Sequence, residues 1–226
     1  DRKNWQILGT SAWDDPRLMK EAVFQSGWFA GPEKSGFASF AQRYQTRFGH
    51  EFNSTAQVSG LKLDEKTIAE YLKAEGYNTC AIGKWHLGSF DKAYWPNQRG
   101  FDYAYGHLFG AIDYFDHTRD GKMDWYRNGE NIKETGYSTH LLAKEAVKFV
   151  QSQSKEKPFL LYMPFNAIHS PYQVPDSYLQ KFPELKGQRR TMAAMLFALD
   201  EAVGQVVGAI EEKGLRENTI FVFSSD

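Results

Sequence analysis

Apolar positions follow two alternating patterns along most of the chain. In "LDEKTIAEYLKAEGY" they recur at helical spacing, with Ile68, Tyr71 and Leu72 on one face, Asp64 placed to cap the start and Gly76 in the C′ position past the end. A short apolar run over residues 79–82 follows as a strand. "STHLLAKEAVKFVQSQ" is helical again, with Ser138 as its cap and Leu142, Ala146, Phe149 and Val150 in one stripe. "KPFLLYMPF" (residues 157–165) is continuously apolar, the pattern of a strand buried on both faces. From Met192 through Met195, Leu196, Leu199, Val203, Val206 and Val207 to Ile210 the helical spacing is strict. Gly214 ends that helix, and "TIFVFS" predicts the next strand. Helices alternating with buried strands predict an α/β fold, a mostly parallel sheet flanked by helices.

Two regions stand apart from this alternation. Residues 88–137 are rich in Gly, Asp, Tyr and Asn and read as one long excursion, with turns at "RDGK" and "RNGE", the second of hairpin type. Its aromatic density argues for order. Residues 1–42 hold three of the six tryptophans (Trp5, Trp13 and Trp28) without a sustained period of either kind. The chain therefore divides into an atypical segment, 1–42, and a domain over 43–226. The final "NTIFVFSSD" stops at the polar end of a strand, which predicts a truncated domain.

Composition narrows the class. The 226 residues are 42% hydrophobic and 15% aromatic, enough for one sizeable core. With 27 basic and 28 acidic side chains the net charge is -1, so no global field draws nucleic acid or a membrane surface. No run approaches the roughly 20 apolar residues of a spanning helix, and "DRKNWQILGT" lacks a signal-peptide pattern. The single cysteine, Cys80, excludes an internal disulfide framework and a multi-cysteine metal site.

Polar chemistry gathers where the predicted strands end. The first runs into Gly83-Lys84-Trp85-His86, the second into "NAIHSPY" with His169, and the third into Asp226. Each has a plain reading: a solvated loop, a turn, a cap for a following helix. Three strand ends of one polarity favour a site, because open parallel sheets bind ligands at the carboxyl ends of their strands. Two histidines, a lysine and an aspartate suit an anion together with a cation. The residues alone do not name a reaction.

The wording of the motifs does. "GYNTCAIGKWHLG" (residues 76–88) resembles the second signature of the sulfatase family. "FLLYMPFNAIHSPYQVP" resembles the family segment in which a histidine precedes a proline-rich turn, and "DEAVGQVVGAIEEKGLRENTIFVFSSD" is similar to the helix and strand that lead into the family's Asp-Asn-Gly metal motif. "RGFDYAYGHLFGAIDYFDH" is similar to a loop of the arylsulfatase B type. These matches cover residues 43–226 in order. The resemblance implies an alkaline phosphatase/sulfatase-like fold, truncated here, from an extracytoplasmic (periplasmic, secreted or lysosomal) sulfuric ester hydrolase acting on a small-molecule or glycan sulfate ester. It implies a formylglycine nucleophile, made from cysteine or serine, and a divalent cation, Ca2+ by the match. By the same resemblance Lys84 would bind the sulfate and the nucleophile, and His86 would orient the formylglycine. His169 would donate to the bridging oxygen or fix the sulfate, and Asp226 would ligate the metal. Asp113 and His117 lie in the loop that borders the substrate pocket, where they would contact the alcohol or sugar; a hydrogen-bonded loop is the alternative reading.

The chain also departs from the family. Aligned without gaps, the Cys/Ser-x-Pro-Ser-Arg signature puts its nucleophile at Pro32 and its arginine at Gly36, and the only cysteine sits in the second signature. Ser35 and Ser39 lack the surrounding motif. Asp14 and Asp15 of "WDDP" lie nearer Pro32 than the family's paired metal aspartates, with no buried strand before them. The expectation is a family scaffold without turnover in this chain. The alternatives are a pseudoenzyme binding sulfated glycans, a phosphoesterase of the same superfamily, or a non-functional fragment.

Overall fold

The computed structural model describes residues 61–224. Those up to Glu217 lie in one compact unit spanning Ala56–Glu217, and residues 218–224 fall outside it. The readings placed on residues 1–42 and on Asp226 lie outside the described residues.

Helix α1 (Ile68–Ala74) starts at Thr67, not at Asp64. Thr67 and Glu70 form a capping box, each side chain bonding the other's backbone N–H. Such a reciprocal pair satisfies two otherwise orphaned donors, which Asp64 could not do from three residues upstream. The residue α1 buries is Ala69, packed with Ala81, Trp85, Phe101 and Leu108. Strand β1 (Asn78–Lys84) follows through Gly76.

The predicted excursion contains a strand of its own. β2 (Tyr103–His107) pairs in parallel with β1, Cys80 opposite Tyr103 and Lys84 opposite His107. Two hairpins follow: β3 (Thr118–Arg119) with β4 (Lys122–Met123), and β5 (Tyr126–Arg127) with β6 (Glu130–Asn131). Their turns are the predicted "RDGK" and "RNGE". In the second, Asn128 and Gly129 both take positive φ, the conformation a two-residue hairpin demands.

Helix α2 (Ser138–Ser152) begins one residue earlier than expected: Tyr137 is the N-cap, and the Ser138 hydroxyl accepts from the Asn166 amide instead. Leu142, Ala146 and Val150 are fully buried, as the stripe predicts. β7 (Phe159–Tyr162) is half the length of the apolar run and only partly buried, because among the described strands it pairs with β1 alone, at the edge of the sheet. Short helix α3 (Asp176–Leu179) leads to α4 (Gly187–Glu212), which packs on α2.

The sheet has the order β6-β5-β2-β1-β7. β2, β1 and β7 are parallel, as expected, while β5 and β6 add an antiparallel edge on the far side, so the sheet flanked by the helices is mixed. "TIFVFS" carries no assigned strand, and Ile220 and Val222 are exposed. α4 is the one described helix long and apolar enough to cross a bilayer, which no single apolar run announced. Ala194, Met195, Ala198 and Ala202 on it are buried inside the fold, the pattern of a core helix.

Candidate functional site

β1 and β2 end in the same way, in glycine and a basic residue: Gly83-Lys84 beside Gly106-His107. Neither glycine can carry a side chain. A Cβ on Gly83 would stand 2.0 Å from the Pro164 carbonyl oxygen, and one on Gly106 would stand 2.2 Å from the Gly83 carbonyl oxygen; both residues have φ +134. The strand ends thus close on each other backbone to backbone, and the first side chains beyond the crossing are Lys84 and His107. Trp85 and His86 continue the pairing by donating their N–H groups to His107 and Leu108. Around this edge lies an open cleft of about 380 Å³, whose lining includes Lys84, His107, Trp95, Tyr126 and Pro164.

Lys84 is half-buried, and no hydrogen bond or ion pair among the described residues occupies its ammonium. His86 has φ 51, and its imidazole lies over Gly110, where any Cβ would sit 2.6 Å from Cε1. His169 is exposed, with Nδ1 2.7 Å from the Ser170 carbonyl. Its loop is stitched to the loop after β2: the Tyr114 hydroxyl donates to the carbonyls of Asn166 (2.8 Å) and His169 (2.7 Å). Gln173 donates to Asp113 at 2.6 Å and accepts from the Tyr114 N–H.

Asp113 and His117 are held within their own loop. Asp113 accepts from the N–H groups of Phe115 and Asp116. Burial alone would raise its carboxyl, but these bonds and Gln173 outweigh it and hold the group below the usual range. His117 is buried, its Nε2 3.0 Å from the Gly136 carbonyl and its ring stacked on Trp125 at 4.5 Å. The hydrogen-bonded loop is the arrangement seen.

Two residues that the sequence reading did not single out complete the edge. His107 is buried, with Nδ1 2.8 Å from the Phe109 carbonyl, and its ring lies parallel to Trp125 at 6.3 Å. Asp124 accepts from the N–H groups of Leu108 (3.0 Å) and Phe109 (2.9 Å) and so fixes the end of β2. The signal for His107 was present, since "AYGHLFG" repeats the apolar-Gly-basic order of "AIGKWHLG". Trp125 is itself locked: its indole N–H donates to Glu134, which also takes the Tyr105 hydroxyl. Burial would raise the Glu134 carboxyl, but those two bonds and the Arg127 charge bring it below its ordinary value.

Burial, reinforced by the Lys84, His86 and His117 charges, pushes the His107 imidazole down to about 3, against one opposing hydrogen bond to Phe109. Its unfolded value is near 6.5. The sign follows: as pH falls below 6.5 the unfolded chain takes up a proton that the folded chain refuses, so this contribution to stability is full above 6.5 and drains away toward 3. We expect the urea midpoint to fall between pH 7 and pH 5, and to fall less steeply in His107→Phe. Parallel pH slopes in the two proteins would contradict the assignment.

Among the described residues no three His, Cys, Asp or Glu side chains converge to hold a metal ion. Asp226 is outside them. The residues on view fit an anion better than a cation.

Comparison with known proteins gives the family. A family model described as Sulfatase matches residues 17–226, beginning ahead of Arg43. Arylsulfatase J of Mus musculus is 33% identical over 204 residues, covering 86% of this chain and 34% of that protein. The uncharacterized sulfatase YdeN of Escherichia coli (strain K12) is 29% identical over 239 residues, covering 92% of this chain and 41% of that one. Among solved structures, Ps i-CgsB in complex with k-i-k-neocarrahexaose superposes with TM-score 0.66 at 36% identity, covering 79% of this chain and 44% of that one. BT4656, in complex with its substrate D-glucosamine-2-N,6-O-disulfate, shares the fold with TM-score 0.57 at 20% identity, covering 71% and 49%. The chain spans less than half the length of these relatives.

Proposed function

The chain belongs to the sulfatase family, and on that premise we propose that Lys84, His86 and His169 grip the sulfate group of a sulfuric ester, with small-molecule or glycan sulfates as the substrate class. Family members generally use a divalent cation and a formylglycine. In this reading Lys84 supplies a full positive charge to the sulfate oxygens, a charge-assisted contact of the stronger kind. His86 offers a ring held at a fixed angle by Gly110. His169, on an exposed loop anchored by Tyr114, would donate to the departing alcohol oxygen. Asp113 and His117 shape the loop that borders the pocket, and Asp226 remains the proposed metal ligand. The observation that carries the proposal is an ammonium at the carboxyl edge of the sheet with no carboxylate paired to it among the described residues.

The sequence over 29–49 offers no cysteine or serine in the Cys/Ser-x-Pro-Ser-Arg setting, so we further propose that these 226 residues bind sulfate esters without hydrolysing them. An extracytoplasmic setting goes with the family. Calorimetric titration of the chain with inorganic sulfate tests the grip. Lys84→Ala should weaken binding about 10- to 100-fold, the worth of a hydrogen bond to a charged group, while Lys122→Ala, on an exposed turn, should leave it unchanged. Equal affinity in the wild type and Lys84→Ala would remove the basis of the reading. Turnover of an aryl sulfate above buffer, lost in Lys84→Ala, would overturn the binding-only part and keep the site.

A further inference from the structure

The side chains expected to meet the alcohol half of the ester are engaged elsewhere. Both oxygens of Asp113 are taken, Oδ1 by the N–H groups of Phe115 and Asp116 and Oδ2 by the Gln173 amide at 2.6 Å. His117 is wholly buried. What the same loop turns outward is Phe115, 40% exposed. On the loop that carries His169, Tyr172 is 39% exposed. A single open ring is ordinary on a protein surface, whereas two on loops that are bonded together beside a site ask for a partner.

The two rings flank one clasp. Gln173, next to Tyr172, donates to Asp113 and accepts from the Tyr114 N–H at 2.8 Å, and Asp113 and Tyr114 immediately precede Phe115. The Tyr114 hydroxyl in turn holds the carbonyls of Asn166 and His169. The Tyr172 phenol lies near enough to influence that hydroxyl. Phe115 is fixed from both ends, its N–H bonded to Asp113 at 2.8 Å and its ring packed on Tyr137 at 5.4 Å. Both rings thus stand on held backbone, one three residues past His169 and the other on the loop tied to it. The surface beside them is polar: Asp116 and Ser170 are exposed.

We propose that Phe115 and Tyr172 are a stacking platform for a pyranose ring, so that the ester this chain takes is a sulfated saccharide and not a small alkyl or aryl sulfate. A pyranose carries C–H groups on its faces and hydroxyls around its edge. The faces suit aromatic rings, whose negative face attracts polarised C–H groups. The edge suits the carboxylate of Asp116 and the hydroxyl of Ser170. A lipid tail would need a continuous apolar patch, and a bare aryl group would leave both polar neighbours without a use. The platform adjoins the proposed sulfate grip: an alcohol whose bridging oxygen is met by His169 extends from there over the loops next to it, and these two are its neighbours. The inference rests on the reading of Lys84 and His169 as that grip.

Calorimetric titration of the 226-residue chain with inorganic sulfate, p-nitrophenyl sulfate and a dextran sulfate tetrasaccharide tests this. Phe115→Ala and Tyr172→Ala should each weaken tetrasaccharide binding about 3- to 10-fold, the worth of one aromatic contact, and leave inorganic sulfate unchanged. Tyr172→Phe, which keeps the ring, should retain most of the affinity. Leu63→Ala, an exposed apolar side chain ahead of α1, should retain all of it. Urea midpoints check that the variants fold, and Tyr172→Ala carries the test alone if Phe115→Ala disturbs the packing on Tyr137. Unchanged tetrasaccharide affinity in the folded ring variants would overturn the proposal. So would a loss confined to p-nitrophenyl sulfate, which would make the occupant a flat aryl group, or an equal loss for inorganic sulfate, which would make the rings supports of the grip itself. Failure of the sulfate reading is distinct, because it shows as equal inorganic sulfate affinity in the wild type and Lys84→Ala whatever the ring variants do.

Discussion

Gly83→Ala should unfold the chain or leave it barely stable. The new methyl carbon would meet the Pro164 carbonyl oxygen at 2.0 Å, and both partners are backbone, so neither can swing aside. The substitution also asks an L-residue to hold φ +134. Strain of the first kind costs about 1–3 kcal/mol and of the second a further 1–3 kcal/mol or so, out of a total stability on the order of 5–15 kcal/mol. β1 is bonded on both sides, so it cannot shift toward β2 without breaking from β7. Urea denaturation followed by far-ultraviolet circular dichroism measures this. A midpoint within error of the wild type would mean that the strand ends do not cross as closely as described.

Trp125→Ala should be the most damaging of the aromatic truncations. Trp125 is wholly buried, meets Tyr105 edge-on at 5.2 Å and stacks on His117, and its indole N–H is bonded to Glu134. Removing a buried tryptophan costs about 3–5 kcal/mol, which at an m-value near 2 kcal/mol/M shifts the urea midpoint by roughly 2 M. Trp95, half-buried at the cleft, is the control and should cost less. The effect should reach function as well, since Trp125 walls both His107 and His117. Sulfate affinity should fall in Trp125→Ala even below the temperature at which the variant melts. An equal loss of stability in Trp95→Ala and Trp125→Ala would deny Trp125 this central place.

The helices and β1 were legible because burial imposes a period, and Leu142, Ala146 and Val150 print that period on the chain directly. Lys84 and His86 were legible as candidates because they break an apolar run at a strand end. β2 was not, since Tyr103, Tyr105 and His107 put polar-tipped rings on one face, where Glu145 and Glu134 take the hydroxyls, and a local reading sees only a polar, aromatic loop. The cap of α1 was misplaced for a related reason. Asp64 and Thr67 are equally good candidates until the partner, Glu70, is counted. His169 and Asp113 each looked like an independent residue, and nothing local announces that Gln173 joins their loops. Residues 219–224, expected as a strand from their apolar run, carry no assigned strand among the described residues.

The tight turn at Asn128-Gly129 has a consequence for the protein's lifetime in solution. Asparagine followed by glycine is the dipeptide in which the next backbone nitrogen most readily attacks the side-chain amide, giving a ring that reopens to aspartate or its isomer. Here the Asn128 amide is engaged, its oxygen accepting from the Ala104 N–H at 2.9 Å. That bond ties the turn to β2, so the folded chain should age slowly at this position, and a stored sample that has loosened should gain a negative charge there first.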